Sequence, residues 1–194
     1  LFRYRYTKTW DDAETLCKIK KFPMYKMKKQ SWITPKAKVK ESSLEGKGLF
    51  AVEPIKKGEK ILTFGGNYTD KIGSEKAEKE GKLIMQWDDD LYSYEDRGDG
   101  DTYFVNHSCD SNAWMDDAFS LSAKKDIPAG EEITADYVLW ETDANFVSKW
   151  KCKCGFSQCR GKVTGNDWKY PQLQKQYEEH FSPLINKRIK QQTS

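Results

Sequence analysis

Three cysteines lie within eight residues, in CKCGFSQC at 152–159, and no other feature of the sequence limits its fold so sharply. Buried free thiols rarely cluster this way. The total of five cysteines is odd, so the pattern reads as a metal site in a reduced protein rather than a disulfide framework. A closed structural zinc site takes four thiolate or imidazole ligands in a tetrahedron, and Cys152, Cys154 and Cys159 supply three. The fourth is to be sought among Cys17, Cys109, His107 and His180, and spacing alone does not choose between them. An intracellular, reducing compartment is expected on the same ground.

With 194 residues and 37% hydrophobic content, the chain can bury one sizeable core with appendages. Apolar runs such as GLFAV at 48–52 and YVLW at 137–140 are far shorter than a bilayer requires, so no membrane partner is expected. The opening LFRYRYTKTWDD lacks the apolar stretch of a secretory leader, and its missing Met points to a trimmed start. The net charge of +3 is unevenly spread. Residues 1–40 carry twelve Lys/Arg against three Asp/Glu, which leaves the remainder net acidic. A basic arm can contact phosphates, but without glycine-aromatic binding patterns a solvated flank is the simpler reading, and nucleic-acid contact stays a minor alternative.

From about Val39 the sequence breaks into short pieces separated by Gly46, Gly48, Pro54 and Gly58, too short for helices and suited to strands at 48–52 and 60–64. Alternation predicts further strands at 83–87 and 119–123, and a turn at IPAGEE leads into one at 132–138. Ser74 is expected to cap a short helix ended by Gly81. A second helix is expected from Pro171, with Leu173, Tyr177 and Phe181 on one face, stopping before Pro183, and the tail NKRIKQQTS is expected to fray.

GKGLFA, GEKILTFGG, YFVNHSCDSNAW, GEEITADY and CKCGFSQCRG follow one another in an order and spacing that resembles the SET-domain protein-lysine methyltransferases with a post-SET cysteine segment, over about residues 38–163. The NHSC element with Asn112 is the most specific part of the match, and GKG alone would be weak. The resemblance implies a mainly β fold with few helices: a β-clip-like arrangement of small sheets, a knot-like core where the NHSC and GEEITADY segments meet, a post-SET zinc segment and a C-terminal helix. It divides the chain into a basic arm at 1–37, a SET domain at 38–140, a zinc segment at 141–165, and a helix and tail at 166–194.

The family's zinc site implies Cys109 as the fourth ligand beside Cys152, Cys154 and Cys159, with Cys17 left as a free thiol. Closing four ligands would order a segment too short and polar to bury a core of its own. The implied activity is methyl transfer from S-adenosylmethionine to the ε-amine of a protein lysine. Lys47, Gly48, Leu49, Tyr103, Asn106 and His107 stand on the cofactor side, with Gly48 allowing close main-chain approach. Tyr137 takes the place of the catalytic tyrosine, and Phe64 and Ala135 line the substrate channel. Read singly, Tyr137 is a sheet aromatic, His107 a satisfied turn histidine and Lys47 surface; their joint arrangement carries the functional reading.

Departures from the family pattern concern the channel. Ala135 stands where Tyr or Phe is usual, Phe64 where many members have tyrosine, Tyr103 where arginine is common, and Ser111 where proline is frequent. They bear on the number of methyl groups added and on the substrate. DDDLYSYEDRGDGD at 88–101 holds seven carboxylates against Arg97, which suits a basic peptide or is a solvated loop. The alternatives to an active enzyme are a SET-like protein-binding module without turnover and a zinc-stabilised nucleic-acid adaptor that uses the basic arm.

Overall fold

Apolar pieces too short for helices pair as strands, because that is how they satisfy their backbone groups while burying one face. The computed structural model describes residues 30–96 and 101–192. Its larger sheet runs in the order β1 (Trp32–Ile33), β4 (Lys60–Thr63), β10 (Ser120–Ala123), β9 (Ala113–Met115), β11 (Glu132–Ala135), β3 (Lys47–Ala51) and β2 (Ala37–Glu41). β8 (Asn106–His107) joins it alongside β11, and a second sheet is ordered β5 (Asn67–Thr69), β7 (Leu91–Glu95), β6 (Leu83–Asp88). The fold is mainly β, as the motif order implied. The sheet already takes in Trp32–Ile33, which pair with Thr63 and Leu62.

Leu49, Ile61, Leu62, Leu121 and Ile133 are fully buried and form the centre of the core. Each such side chain contributes roughly 1.5–3 kcal/mol on burial. Trp87 ties the small sheet to this core: its ring meets Phe119 at 4.8 Å and Phe64 at 5.8 Å, and its Nε1–H donates to Ser93 Oγ at 2.8 Å.

Local details depart from expectation where tertiary contacts override local signals. Helix α1 spans Lys71–Lys79, and its N-cap is Asp70, whose Oδ1 accepts the Gly73 N–H at 3.0 Å; Ser74 lies inside the helix, buried. Ser74 is not the cap because Asp70, four residues earlier, offers the acceptor first. Gly81 does end the helix, at φ +80°, with Lys82 N–H bonded to Ala77 O and Gly81 N–H to Glu78 O in a Schellman arrangement. The strand expected at 132–138 stops at Ala135. Asp136 instead caps a 3₁₀ turn over Tyr137–Leu139, because its side chain accepts the Val138 N–H.

At the C-terminus, helix α2 (Pro171–Tyr177) ends four residues before Phe181, and Pro183 opens a further helix, α3 (Pro183–Gln192). The tail, at least as far as Gln192, is therefore helical and not frayed. Pro183 sits in a first turn, where its missing N–H costs nothing. Leu184 and Ile185 are fully buried, and Lys187 reaches back to Asp88 at 3.1 Å and Asp89 at 2.6 Å.

Candidate functional site

β11 makes the site by pairing in parallel with two separate strands. Thr134 and Ala135 stand opposite Asn106 and His107 of β8, while Ala135 also pairs with Ala113 of β9. The NHSC and GEEITADY segments thus meet as the motif order implied. Asn112 staples the crossing: Oδ1 accepts the Thr134 N–H at 2.8 Å, and Nδ2 donates to Glu132 O at 2.8 Å and to Glu131 Oε1 at 2.9 Å. With the side chain 3% exposed, those bonds supply the partners a buried amide requires.

An open cleft lies at this crossing, lined by Leu44, Glu45, Asn106, His107, Tyr137 and the run Trp150–Lys153, with about 410 Å³ of space that includes its solvent-filled mouth. Asn106 Nδ2 donates to Glu132 Oε1 at 2.7 Å and to Lys47 O at 3.0 Å, which draws β3 against the cleft wall. Gly48 abuts the same two side chains, so the absence of its Cβ admits Glu132 and Asn106. The Leu49 side chain is fully buried in the core. Lys47 Nζ stands 5.9 Å over the Phe104 ring.

Tyr103 is not among the residues lining this cleft. It lines a second, smaller hollow of about 210 Å³ together with Phe64, Met85 and Glu95, and its hydroxyl donates to Glu95 Oε2 at 2.6 Å. The two hollows are connected by rings: Phe64 lies 6.0 Å from Trp140, and Trp140 lies 5.4 Å from Tyr137. Ala135 is fully buried between strands, one residue before the cap that presents Tyr137.

Tyr137 is held at three points. Its hydroxyl donates to Val105 O at 3.0 Å, its backbone N–H meets His107 Nδ1 at 3.3 Å, and its ring packs against His107 at 5.3 Å and edge-on to Trp150 at 6.1 Å. Burial pushes the phenol up to about 12, so at neutral pH it is an uncharged donor. Burial also lowers His107 to about 4 and outweighs the attraction of Asp136. A neutral ring that accepts at Nδ1 carries its proton on Nε2, which lies 3.4 Å from Cys109 Sγ. Histidine thereby donates to the sulfur.

Cys109, Cys152, Cys154 and Cys159 converge, with all four sulfurs within 4.8 Å of one another and Cys109 4.0 Å from Cys159. All four are free thiols, none joined in a disulfide. Tetrahedral zinc with bonds of about 2.3 Å sets its sulfurs roughly 3.8 Å apart, so the donor set fits. Of the other donors considered, His180 is engaged elsewhere, stacked on Trp114 at 3.5 Å with Nδ1 2.7 Å from Met115 O. Cys17 and most of the basic arm lie outside the described residues.

Residue types alone did not single out Trp150, Glu45, Lys151 or Lys153 at the cleft. The proximity of Trp150 and both lysines to the cysteine motif was the available signal. Beneath them, Arg160 follows Cys159 directly and forms a fork on the fully buried Asp136, with Nη2 2.6 Å from Oδ1 and Nη1 2.8 Å from Oδ2.

The strand crossing, the NHSC turn and the four-cysteine cluster are the features that the resemblance to SET domains with a post-SET segment implied. Residues 46–138, just under half of the chain, match the family model described as SET domain, and the four-cysteine cluster includes three residues that follow this stretch. The chain is 25% identical over 142 residues to the histone-lysine N-methyltransferase ATX2 of Arabidopsis thaliana, covering 66% of this chain and 13% of that protein. It is 29% identical over 149 residues to the histone-lysine N-methyltransferase SUV39H2 of Xenopus tropicalis, covering 60% and 36%. Against the human histone-lysine N-methyltransferase 2B it is 31% identical over 136 residues, covering 63% and 5%. The chain thus spans a minor part of each of these curated relatives. Among the described residues, no helix is long and apolar enough to cross a membrane.

Proposed function

We propose that the chain transfers a methyl group from S-adenosylmethionine to the ε-amine of a lysine in a protein substrate, with histones the first class to test. The single observation that carries this is the parallel pairing of β8 with β11, which sets Asn106, His107 and Tyr137 around one cleft walled by the cysteine segment. S-adenosylmethionine supplies an electrophilic methyl on a sulfonium. Asn106 and His107, with the backbone of Lys47 and Gly48 behind them, form the donor side. Trp150, at 36% exposed and with its ring 5.5 Å from His107, offers a flat apolar wall.

Methyl transfer needs a neutral amine aligned with the methyl, so orientation and exclusion of water supply most of the rate. A lysine at its ordinary pKa of about 10.4 is almost wholly protonated at neutral pH and must lose a proton on or before entry. Exclusion of water beside the rings of Tyr137, Trp140 and Phe64, together with the positive sulfonium nearby, would favour the neutral amine over the ammonium. The Tyr137 oxygen and the Val105 carbonyl supply acceptors for the amine's hydrogens, and a phenol at about 12 serves as a positioning group rather than a base. Cys109, Cys152, Cys154 and Cys159 would hold zinc, whose role is to order the segment that walls the cleft. The division into an arm to residue 37, a SET domain to 140, a zinc segment to 165 and a C-terminal helical part belongs to the same proposal.

A basic setting for the target lysine rests on narrower support. Much of the acidic run is matched inside the protein: Asp88 and Asp89 pair with Lys187, Asp96 pairs with Lys82, and Asp90 accepts the Lys71 N–H at 3.0 Å. Glu95 differs. Among the described residues its oxygens meet the Ser31 and Tyr103 hydroxyls and no cation, and it faces the hollow beside Phe64. Incubation with labelled S-adenosylmethionine and separate acidic and basic protein pools tests the whole reading. Label in basic proteins, lost in Tyr137→Phe, supports it. No label from either pool leaves the binding-module alternative, and preferential labelling of acidic proteins removes the basic setting.

A further inference from the structure

We infer that Arg160 and Tyr177 are positioning residues for Tyr137, acting through the buried carboxylate of Asp136. The inference rests on the reading of Tyr137 as the residue beside the reacting amine. Asp136 is fully buried and immediately precedes Tyr137. Its Oδ1 accepts the Val138 N–H at 3.2 Å and Arg160 Nη2 at 2.6 Å, and its Oδ2 accepts Arg160 Nη1 at 2.8 Å and the Tyr177 hydroxyl at 3.1 Å. The carboxylate therefore has two tasks: it caps the 3₁₀ turn that presents Tyr137, and it is gripped from two later parts of the chain.

The grip is itself anchored. Arg160 Nε donates to Asp167 Oδ2 at 3.0 Å, and Asp167 Oδ1 accepts the Thr164 hydroxyl at 2.5 Å. The backbone of Arg160 follows Cys159, whose sulfur accepts the Gly161 N–H at 3.3 Å. Tyr177 is fully buried in α2. One side chain thus links the cysteine segment, which walls the cleft, to the turn that sets the tyrosine in it. A buried ion pair is seldom the most stabilising filling for a core, and apolar residues of similar volume often do as well or better. Orientation is the property that a bidentate fork provides and an apolar filling does not. Arginine outside the strands and a tyrosine from α2 therefore act on the reacting centre without touching it.

The test uses the full chain, loaded with zinc, in the wild type and in Arg160→Met, Arg160→Lys, Arg160→Ala and Tyr177→Phe. Arg160→Met is expected to lower kcat on the order of a hundredfold, the effect of a misplacement of about 1 Å, with KM for S-adenosylmethionine held within about threefold. Arg160→Lys recovers little because it lacks the fork, whereas free guanidinium restores part of kcat to Arg160→Ala. Tyr177→Phe keeps the packing and loses only the hydroxyl's bonds to Asp136 and Ser111, so it is the deciding variant if the arginine variants do not fold.

An arm independent of turnover uses fluorotyrosine labelling. The fluorine resonance of Tyr137, assigned by its absence in Tyr137→Phe, is expected to shift or broaden in the Arg160 variants and in Tyr177→Phe while the zinc content is unchanged. If the wild type transfers no methyl, the proposed function fails and the fluorine arm still decides the positioning. If folded, zinc-loaded variants keep both the Tyr137 resonance and the wild-type kcat, the inference is overturned.

Discussion

Replacing Gly48 with alanine would place a methyl carbon 2.1 Å from Glu132 Oε1 and 3.0 Å from Asn106 Nδ2. The carboxylate is the end of a flexible side chain and can swing aside, but doing so breaks what it holds. Glu132 accepts the Ser42 hydroxyl at 2.8 Å on each oxygen, and Asn106 Nδ2 at 2.7 Å. Hydrogen bonds to a charged acceptor contribute about 1.5–3 kcal/mol each. Partial exposure lets water replace some of that, and Asn106 keeps its bond to Lys47 O. The expected loss is therefore about 2 kcal/mol, within the range overpacking usually costs. Urea denaturation at constant m measures it. A double-mutant cycle isolates the cause: in a Glu132→Ala background the same substitution should cost less than about 0.5 kcal/mol, because the clashing group is gone. A wild-type-like stability for Gly48→Ala, or an equal loss in both backgrounds, would show that the steric account of this glycine is wrong.

The high pKa of Tyr137 has a signed consequence. The unfolded phenol ionises near 10 and the folded one near 12, so the folded state binds more protons between those values and stability falls as pH rises across that window. Absorbance at 295 nm should show one fewer tyrosine resisting ionisation in Tyr137→Phe than in the wild type, with the buried Tyr177, whose phenol is also pushed up by burial, protected in both. Zinc removal is expected to open the cysteine segment: with chelator, Cys109, Cys152, Cys154 and Cys159 become alkylatable together, and without it they stay protected while X-ray absorption reports a four-sulfur shell. Ile185→Ala, at a fully buried position of α3, should cost about 2–4 kcal/mol by thermal or urea melting. A loss below 0.5 kcal/mol, read roughly on the same scale, would mean that α3 does not pack as described.

Much of the chemistry was legible in the linear order. CKCGFSQC points to a thiol cluster able to hold a metal because thiols so close in sequence have few other uses, and Gly81 ends its helix because a backbone turning to positive φ favours glycine. Pro171 likewise opens α2 as expected. These are effects between near neighbours, and they survive the folding of the rest. Pro183 and the cap at Asp70 show the limit: both carried a plausible local signal, and in each case a competing residue or a packed partner set the outcome.

The site itself belongs to longer range. That Cys109, rather than His180 or another donor, completes the cluster depends on a turn 43 positions from Cys152, and no local periodicity reports such a distance. Asp136, Arg160 and Tyr177 look like an ordinary surface charge, another basic residue and a helix aromatic until the chain closes on itself. The hollow at Tyr103, the ring path from Phe64 to Tyr137 and the wall at Trp150 have the same origin. Residue types state which bonds and burials are possible, and hydrogen-bond partners in a parallel crossing such as β8 beside β11 are chosen only when the whole core packs, since each strand could pair equally well elsewhere in isolation.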